Sequence, residues 1–165
     1  KPVLYVCNVA ESEAATGNSY SQKVADMAAT QQAGHVIVSA AIEAEISQLD
    51  ASDKGEFLAE LGLEEAGLTR LIRAGYGLLD LLTFFTVGPK EARAWTVANG
   101  ATAPQAAGVI HTDFQRGFIR AETISYHDYI AYKGETGAKD AGRMRVEGAE
   151  YKVADGDVFH FRFNV

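Results

Sequence analysis

The chain has 165 residues, a net charge of −7 and a single cysteine. That length buries one sizeable core or two small ones, one thiol excludes an internal disulfide, and no apolar run is long enough to cross a bilayer. Residues 1–80 carry 5 Lys/Arg against 12 Asp/Glu, whereas residues 81–165 carry 10 of each, so the charge shift points to two small units with a boundary near residue 80. With no leader segment in view and a lone thiol at Cys7, the expected setting is the reducing cytoplasm.

The first element is Val3-Leu4-Tyr5-Val6-Cys7, an unbroken apolar run of the kind expected for a parallel strand covered on both faces. Asn8-Val9-Ala10-Glu11 follows it. Tyr20, Val24, Met27, Ala28 and Gln31 then fall at helical spacing, with Ser19 and Gln22 able to form a capping box and Gly34 suited to the left-handed residue that closes the helix. His35-Val36-Ile37-Val38 reads as a second strand and leads into Ser39-Ala40. In a strand, helix, strand unit, ligands sit beyond the carboxyl ends of the strands. Both Asn8 to Glu11 and Ser39-Ala40 lie at that edge.

A helical stretch comes next. Ser52 can cap a helix bearing Phe57, Leu58 and Leu61, and Leu68, Leu71, Ile72, Tyr76 and Leu79 share the face of another. Arg70 and Arg73 on that helix read as a solvated face or as partners for Glu64 and Glu65. From Leu81 the period changes to two. Residues 82–87 and 92–97 flank Gly88-Pro89-Lys90 as a hairpin, Pro104 opens a short helix, residues 118–124 read as a strand, and Tyr126 to Tyr132 as a short helix. Gly134 to Lys139 reads as a turn. In the closing strand Phe159, Phe161, Phe163 and Val165 occupy one face, and Val158, His160, Arg162 and Asn164 the other.

Several of these segments resemble one family. Asn8-x-x-Glu11 after a strand, then a strand ending in Ser39-Ala40, is similar to the fourth and fifth nucleotide motifs of the Obg-like ATPases, the YchF group of P-loop proteins. Residues 71–76, 83–91, 104–114 and 155–165 resemble that family's carboxyl end. The resemblance implies an α/β fold for residues 1–80, the C-terminal part of a P-loop nucleotide-binding domain, followed by an α+β β-grasp (ubiquitin-like) TGS domain over residues 81–165. It further implies that Asn8, Val9, Glu11, Ser39 and Ala40 bind the nucleotide base. GTPases of this class carry Asn-Lys-x-Asp, whose Asp accepts two hydrogen bonds from guanine while the Lys stem packs on the base. Here Val9 and Glu11 stand in those positions, so the guanine clamp has lost its geometry. ATP is therefore the expected nucleotide, with GTP second. Taken alone, the tetrapeptide reads more simply as an Asx turn followed by a solvated Glu.

No Gly-x-x-x-x-Gly-Lys-Ser/Thr occurs in the 165 residues; Gly134 to Lys139 has the wrong spacing for one. The resemblance assigns that loop and the magnesium to residues upstream of Lys1, so this chain alone is expected to neither bind ATP tightly nor hydrolyse it. In the second half, His111-Thr112-Asp113 and His127-Asp128 offer metal-type ligands, yet local hydrogen bonding explains them better, and no metal site and no catalytic residue is expected. Lys90, Arg93, Arg116 and Arg120 are candidate contacts for RNA or another partner. The family implies a ribosomal partner, with neither membrane nor DNA. An unpaired edge at Val3 to Cys7 invites self-association. The competing reading is a non-catalytic adaptor whose β-grasp domain binds RNA or protein without a nucleotide.

Overall fold

A computed structural model describes residues 1–164, so Val165 and its expected place on the closing strand lie outside the described residues. The chain divides into two compact units, Lys1–Leu79 and Asp80–Val165, each mixed α/β.

In the first unit, β1 (Leu4–Asn8) and β2 (Gly34–Val38) pair in parallel, Asn8 opposite Val38, with α1 (Ser19–Thr30) between them in sequence. Two details of α1 differ from expectation. Asn18, not Ser19, is the N-cap: its Oδ1 accepts from the backbone N–H of Tyr20 and Ser21 at 2.9 Å each, and the Asn18 N–H donates to Ser21 Oγ. An extended Asn with its carbonyl one carbon beyond Cβ reaches both donors. At the other end Gln32, with φ of 54°, takes the left-handed position. Gly34 belongs to β2, where a Cβ would come within 2.9 Å of Leu4 Cδ1. The buried positions of α1 are Ser21 and Ala28, while Tyr20 and Met27 are exposed, so the covered stripe is rotated by one residue from the expected one.

After β2, Ser39 starts an unforeseen helix, α2 (Ala40–Ile46), followed by α3 (Lys54–Glu60) and α4 (Gly67–Leu78). Ser52 does not cap α3; its hydroxyl bonds Asp53, the residue that precedes the helix. Ile42, Ile46 and Leu63 form the buried centre of this layer, with Phe57, Leu58 and Leu61 against it. Gly67 anchors α4. Its N–H donates to Glu43 Oε1 at 2.7 Å, and a Cβ there would crowd Val38 at 3.2 Å. Arg73 pairs with Glu65 through two 2.8 Å bonds. Arg70 is no solvated charge: its Nη2 donates to the carbonyl of Ile37 at 3.0 Å, satisfying an acceptor on β2, and its Nε is buried without a partner.

The second unit is a five-stranded sheet in the order β4-β3-β7-β5-β6. The hairpin β3 (Leu81–Val87) and β4 (Ala92–Ala98) is antiparallel, with Phe84 opposite Trp95. Helix α5 (Ala103–Ile110) has Pro104 in its first turn, and α6 (Thr112–Arg116) follows; β5 (Phe118–Ser125) and α7 (Tyr126–Ala131) come next. β7 (Asp157–Phe163) enters between β3, which it parallels, and β5, which it opposes. Residues 135–140 are a helix, α8 (Glu135–Asp140), rather than a turn. Gly134 does turn the chain at φ of 111°, but Gly137 serves close packing, since a Cβ there would strike the carbonyl of Tyr132. β6 (Arg145–Glu147) is too short to show alternation in sequence.

One face of this sheet carries the core. Phe84 is fully buried and its ring centroid lies 6.5 Å from Trp95, 5.6 Å from Phe159 and 6.2 Å from Phe161, while Ala103, Ala106 and Ala107 of α5 join the same cluster. Aromatic pairs at these separations add attraction to the area they bury. Val158, expected on the open face, is 6% exposed, because α7 packs against β5 and β7 there. Phe84→Ala is expected to cost this unit about 3–5 kcal/mol, read from the urea midpoint of Trp95 fluorescence, and a loss below about 1 kcal/mol would show that the cluster does not hold the sheet.

At the start of β7, the Asp157 carboxylate accepts from the Ala154 N–H and from Tyr151 Oη, each at 2.9 Å, with Arg145 at 3.5 Å. Burial pushes the Asp157 carboxyl above its ordinary value of 3.8, and burial followed by the bond to Asp157 pushes Tyr151 up to about 12. A carboxyl with a raised folded-state pKa binds its proton more tightly in the native chain, so its contribution is complete below pH 3.8 and declines as pH rises through the raised value. Asp157→Asn is expected to flatten that part of the urea stability profile; an unaltered slope would assign the pH dependence elsewhere.

Candidate functional site

The carboxyl ends of β1 and β2 form a rim. There the Asn8 side-chain carbonyl accepts from the Ala40 N–H at 2.9 Å, and the Val9 N–H donates to the Val38 carbonyl at 2.9 Å. Asn8, Val9 and Ala40 are thus drawn together by one side-chain and one main-chain bond across 32 residues of sequence. The Asn8 amide nitrogen keeps both N–H groups without a protein partner among the described residues, and its side chain is exposed. An amide held through its oxygen presents its donors in one orientation.

Ser39 is placed differently from Ala40. It is 2% exposed, and its Oγ is buried with no hydrogen-bond partner. A buried hydroxyl left unpaired costs free energy, so Ser39 lies beneath the rim rather than on it. Glu11 begins a single 3-10 turn (Glu11–Glu13) and is exposed. That turn is organised by Glu13, whose Oε2 accepts from Asn18 Nδ2 at 2.8 Å and from the Ala10 N–H at 3.4 Å. Gly17 closes the loop at φ of 72°, where a Cβ would meet Ile37 Cδ1 at 2.8 Å. The positioning role of Glu13 is a signal the sequence held: an acid five residues before an N-cap Asn. An open cavity of about 300 Å³ runs along β1, lined by Cys7, Asn8, Val9, Asn18 and Tyr20. The polar groups at this edge are the Asn8 amide donors and the Asn18 side chain.

The four basic candidates of the second unit do not form one patch. Arg93, opposite Thr86, shares a sheet face with Trp95, and its guanidinium lies 4.1 Å from the Trp95 ring centroid. Arg120 lies on the other face, 3.7 Å from Glu122. Lys90 is exposed in the β3–β4 turn, and Arg116 is paired with Asp113 at 2.5 Å. His111 caps α6 by accepting the Asp113 N–H on Nδ1, whereas Asp128 is held by Ser125 at the start of α7. His111-Asp113 and His127-Asp128 therefore belong to separate helix starts.

Cross-strand pairing makes a cluster that the sequence reading missed. Glu122 faces His160 between β5 and β7, and Glu135 of α8 brings a third ligand-type atom within 4.8 Å. The Arg162 guanidinium, 3.0 Å from Glu122 Oε2, holds that carboxyl below its usual range, with Arg120 beside the other oxygen. With both oxygens facing guanidinium groups, the cluster reads as an ion-pair network. It could be anticipated only by knowing that β7 opposes β5.

The chain thus has two mixed α/β units, the first ending its parallel strands in an amide-bearing rim. The YchF-GTPase_C family, described as "Protein of unknown function (DUF933)", matches residues 81–164, and this chain belongs to it. Among its relatives, the "Ribosome-binding ATPase YchF" of Haemophilus influenzae is 59% identical over the whole chain and that of Bacillus subtilis 54%. The chain spans 45% and 46% of those two proteins. The "YchF GTPase" structure from Schizosaccharomyces pombe superposes with a TM-score of 0.81 at 33% identity, over 98% of this chain and 43% of that one. A GTP-binding protein from Pyrococcus horikoshii shares the fold at a TM-score of 0.64 and 17% identity, over 99% of this chain and 46% of that one.

Among the described residues no helix is long and apolar enough to cross a membrane. Asn8→Ala is expected to lower the stability of the first unit by about 1 kcal/mol in the absence of nucleotide, with Asn8→Asp, which keeps the acceptor, losing less. Equal urea midpoints for Asn8→Ala and the parent chain would mean that the bond to Ala40 does not order the rim.

Proposed function

We propose that this chain is the carboxyl portion of a ribosome-associated ATPase of the YchF type, working in the cytoplasm. Residues 1–80 complete its nucleotide-binding domain and residues 81–165 are a TGS domain of the β-grasp kind. The single observation that carries the nucleotide reading is the 2.9 Å bond from the Ala40 N–H to Asn8 Oδ1, which leaves the Asn8 Nδ2 donors for a purine ring nitrogen. Val9, half-buried and tied to Val38 through its N–H, offers the base an aliphatic surface with no lysine stem. Glu11 is the longer acid in place of the aspartate that grips guanine, which supports ATP over GTP. Bound ATP would bring the reactive phosphates, with magnesium, to polypeptide outside this chain; these residues bind and orient the base only.

The TGS reading draws support from topology. A hairpin, a helix packed on the sheet and a last strand inserted parallel to the first strand of a five-stranded sheet are the features that support a β-grasp reading. The names of the relatives, ribosome-binding ATPases, support the ribosomal partner.

In a protein comprising this chain and its upstream nucleotide domain, ATP should bind more tightly than GTP, and Asn8→Ala should weaken ATP by about tenfold, the equivalent of one charge-free hydrogen bond with a stranded partner. Calorimetric titration with both nucleotides checks this, and tighter GTP binding would reject the adenine reading. Cosedimentation of the same protein with ribosomes, weakened by added salt, tests the partner.

A further inference from the structure

The ladder between β3 and β7 is shorter than either strand. Pairing ends at Thr86 opposite Phe159, whereas β7 runs on to Phe163. β3 is cut short by Gly88, whose N–H turns back to the Glu91 carbonyl, and by Pro89, which has no N–H to donate. Beyond Phe159, β7 therefore has β5 on one side and, among the described residues, no strand on the other. The Asn164 N–H donates to the Gly117 carbonyl on the β5 side. Strand alternation then turns the main-chain N–H and C=O groups of Phe161 and Phe163 the opposite way, toward the open side. This free edge, His160 to Phe163, extends about 13 Å at the usual rise per residue.

The edge borders an open groove of about 450 Å³ walled by the β3–β4 turn and the α5–α6 junction. Trp95, Ile110, Phe114 and Phe163 make it apolar. Its aromatic walls are fixed, since Trp95 Nε1 donates to Thr86 Oγ1 at 2.9 Å and Phe114 stacks on Phe163 with centroids 3.8 Å apart. Lys90 lines the groove, and Arg93 lies beside it over the Trp95 ring. Arg116, Arg120, Arg143, Arg145 and Arg162 are each paired with a carboxylate, whereas exposed Lys90 and Arg93 form no ion pair among the described residues. One acid, Glu91, shares the lip and leaves a surplus of positive charge.

These three features are complementary to one kind of ligand. A free strand edge is matched by alternating amide N–H and C=O groups, an apolar groove by aliphatic or aromatic side chains, and unpaired cations by carboxylates. An extended polypeptide segment of acidic and apolar residues carries all three. A single-stranded nucleic acid has charge for the cations but no alternating amides for the edge, and a helix has its main-chain groups already paired.

We propose that the free edge of β7 takes an extended acidic and apolar segment of a partner protein as an added strand. Its main chain bonds Phe161 and Phe163, an apolar side chain fills the groove, and its carboxylates meet Lys90 and Arg93. The interaction goes beyond the nucleotide and ribosome reading and does not rest on it.

The probe is a capped, fluorescein-labelled decapeptide in which glutamate alternates with leucine and valine. Its anisotropy should saturate on titration with the 165-residue chain, and the emission of Trp95, the sole tryptophan, should shift with the same midpoint. Amide exchange at Phe161 and Phe163 should slow in the complex. Only alternate amides of an added strand face β7. Of two peptides methylated on opposite sets of central main-chain nitrogens, one should therefore lose affinity by about tenfold or more and the other should keep it. The double variant Lys90→Glu, Arg93→Glu changes only exposed side chains. It should weaken the glutamate peptide by about tenfold and strengthen one with lysine in place of glutamate, with an unchanged circular dichroism spectrum. Absence of saturable binding, equal behaviour of the two methylated peptides, slowed exchange confined to other strands, or indifference to the double variant would each overturn the proposal. So would displacement of the probe by a ten-nucleotide oligouridylate at lower concentration than by unlabelled peptide.

Discussion

Burial of the Phe84 ring is the interaction on which the second unit depends. It meets Trp95 across β4 and Phe159 and Phe161 across β7, so three strands are registered against one side chain. Slipping any of them by one residue would turn its aromatic face away from α5 and expose it. The same registration carries Trp95 to the margin of the groove and sets Arg93 above it. Stability and the candidate partner surface thus share one determinant.

In the first unit the corresponding constraint is the parallel pairing of β1 with β2. It places Asn8 opposite Val38 and so within one hydrogen bond of Ala40. Glu43 and Arg70 secure the far side of β2, one by holding the N–H of Gly67 and the other by satisfying the Ile37 carbonyl. The rim is therefore supported from α4 as well as from β1. The Asn8 amide is thus held in one orientation by the protein itself.

Much of this was legible in the residues, and the failures have identifiable physics. Period-two alternation disclosed the β3–β4 hairpin and the core face of β7, because Trp95 and Val97, and Phe159, Phe161 and Phe163, recur at spacing two on the core side. It misplaced Val158, since the covering helix α7 comes from a segment whose docking side no local pattern encodes. Glycines misled twice. Gly34 suggests a helix terminator and Gly137 part of a turn, but at each a neighbour, Leu4 or the Tyr132 carbonyl, occupies the space of a Cβ. At the rim, the residue types of Asn8 and Ala40 and their shared sheet edge were readable from strand order, whereas the bond between them was not. The buried hydroxyl of Ser39 and the division of Arg93 and Arg120 between opposite faces needed three-dimensional register.

The central position of β7 has a temporal side. Among the described strands it comes last in sequence and alone pairs with both β3 and β5. During synthesis the β3–β4 and β5–β6 portions emerge first and have no common strand to join them. Their inner edges stay open until residues 157–163 leave the exit tunnel, so closure is a late, long-range event with the loop-entropy cost that such contacts carry. Until then the chain carries two unpaired strand edges, the kind of border that pairs with other strands.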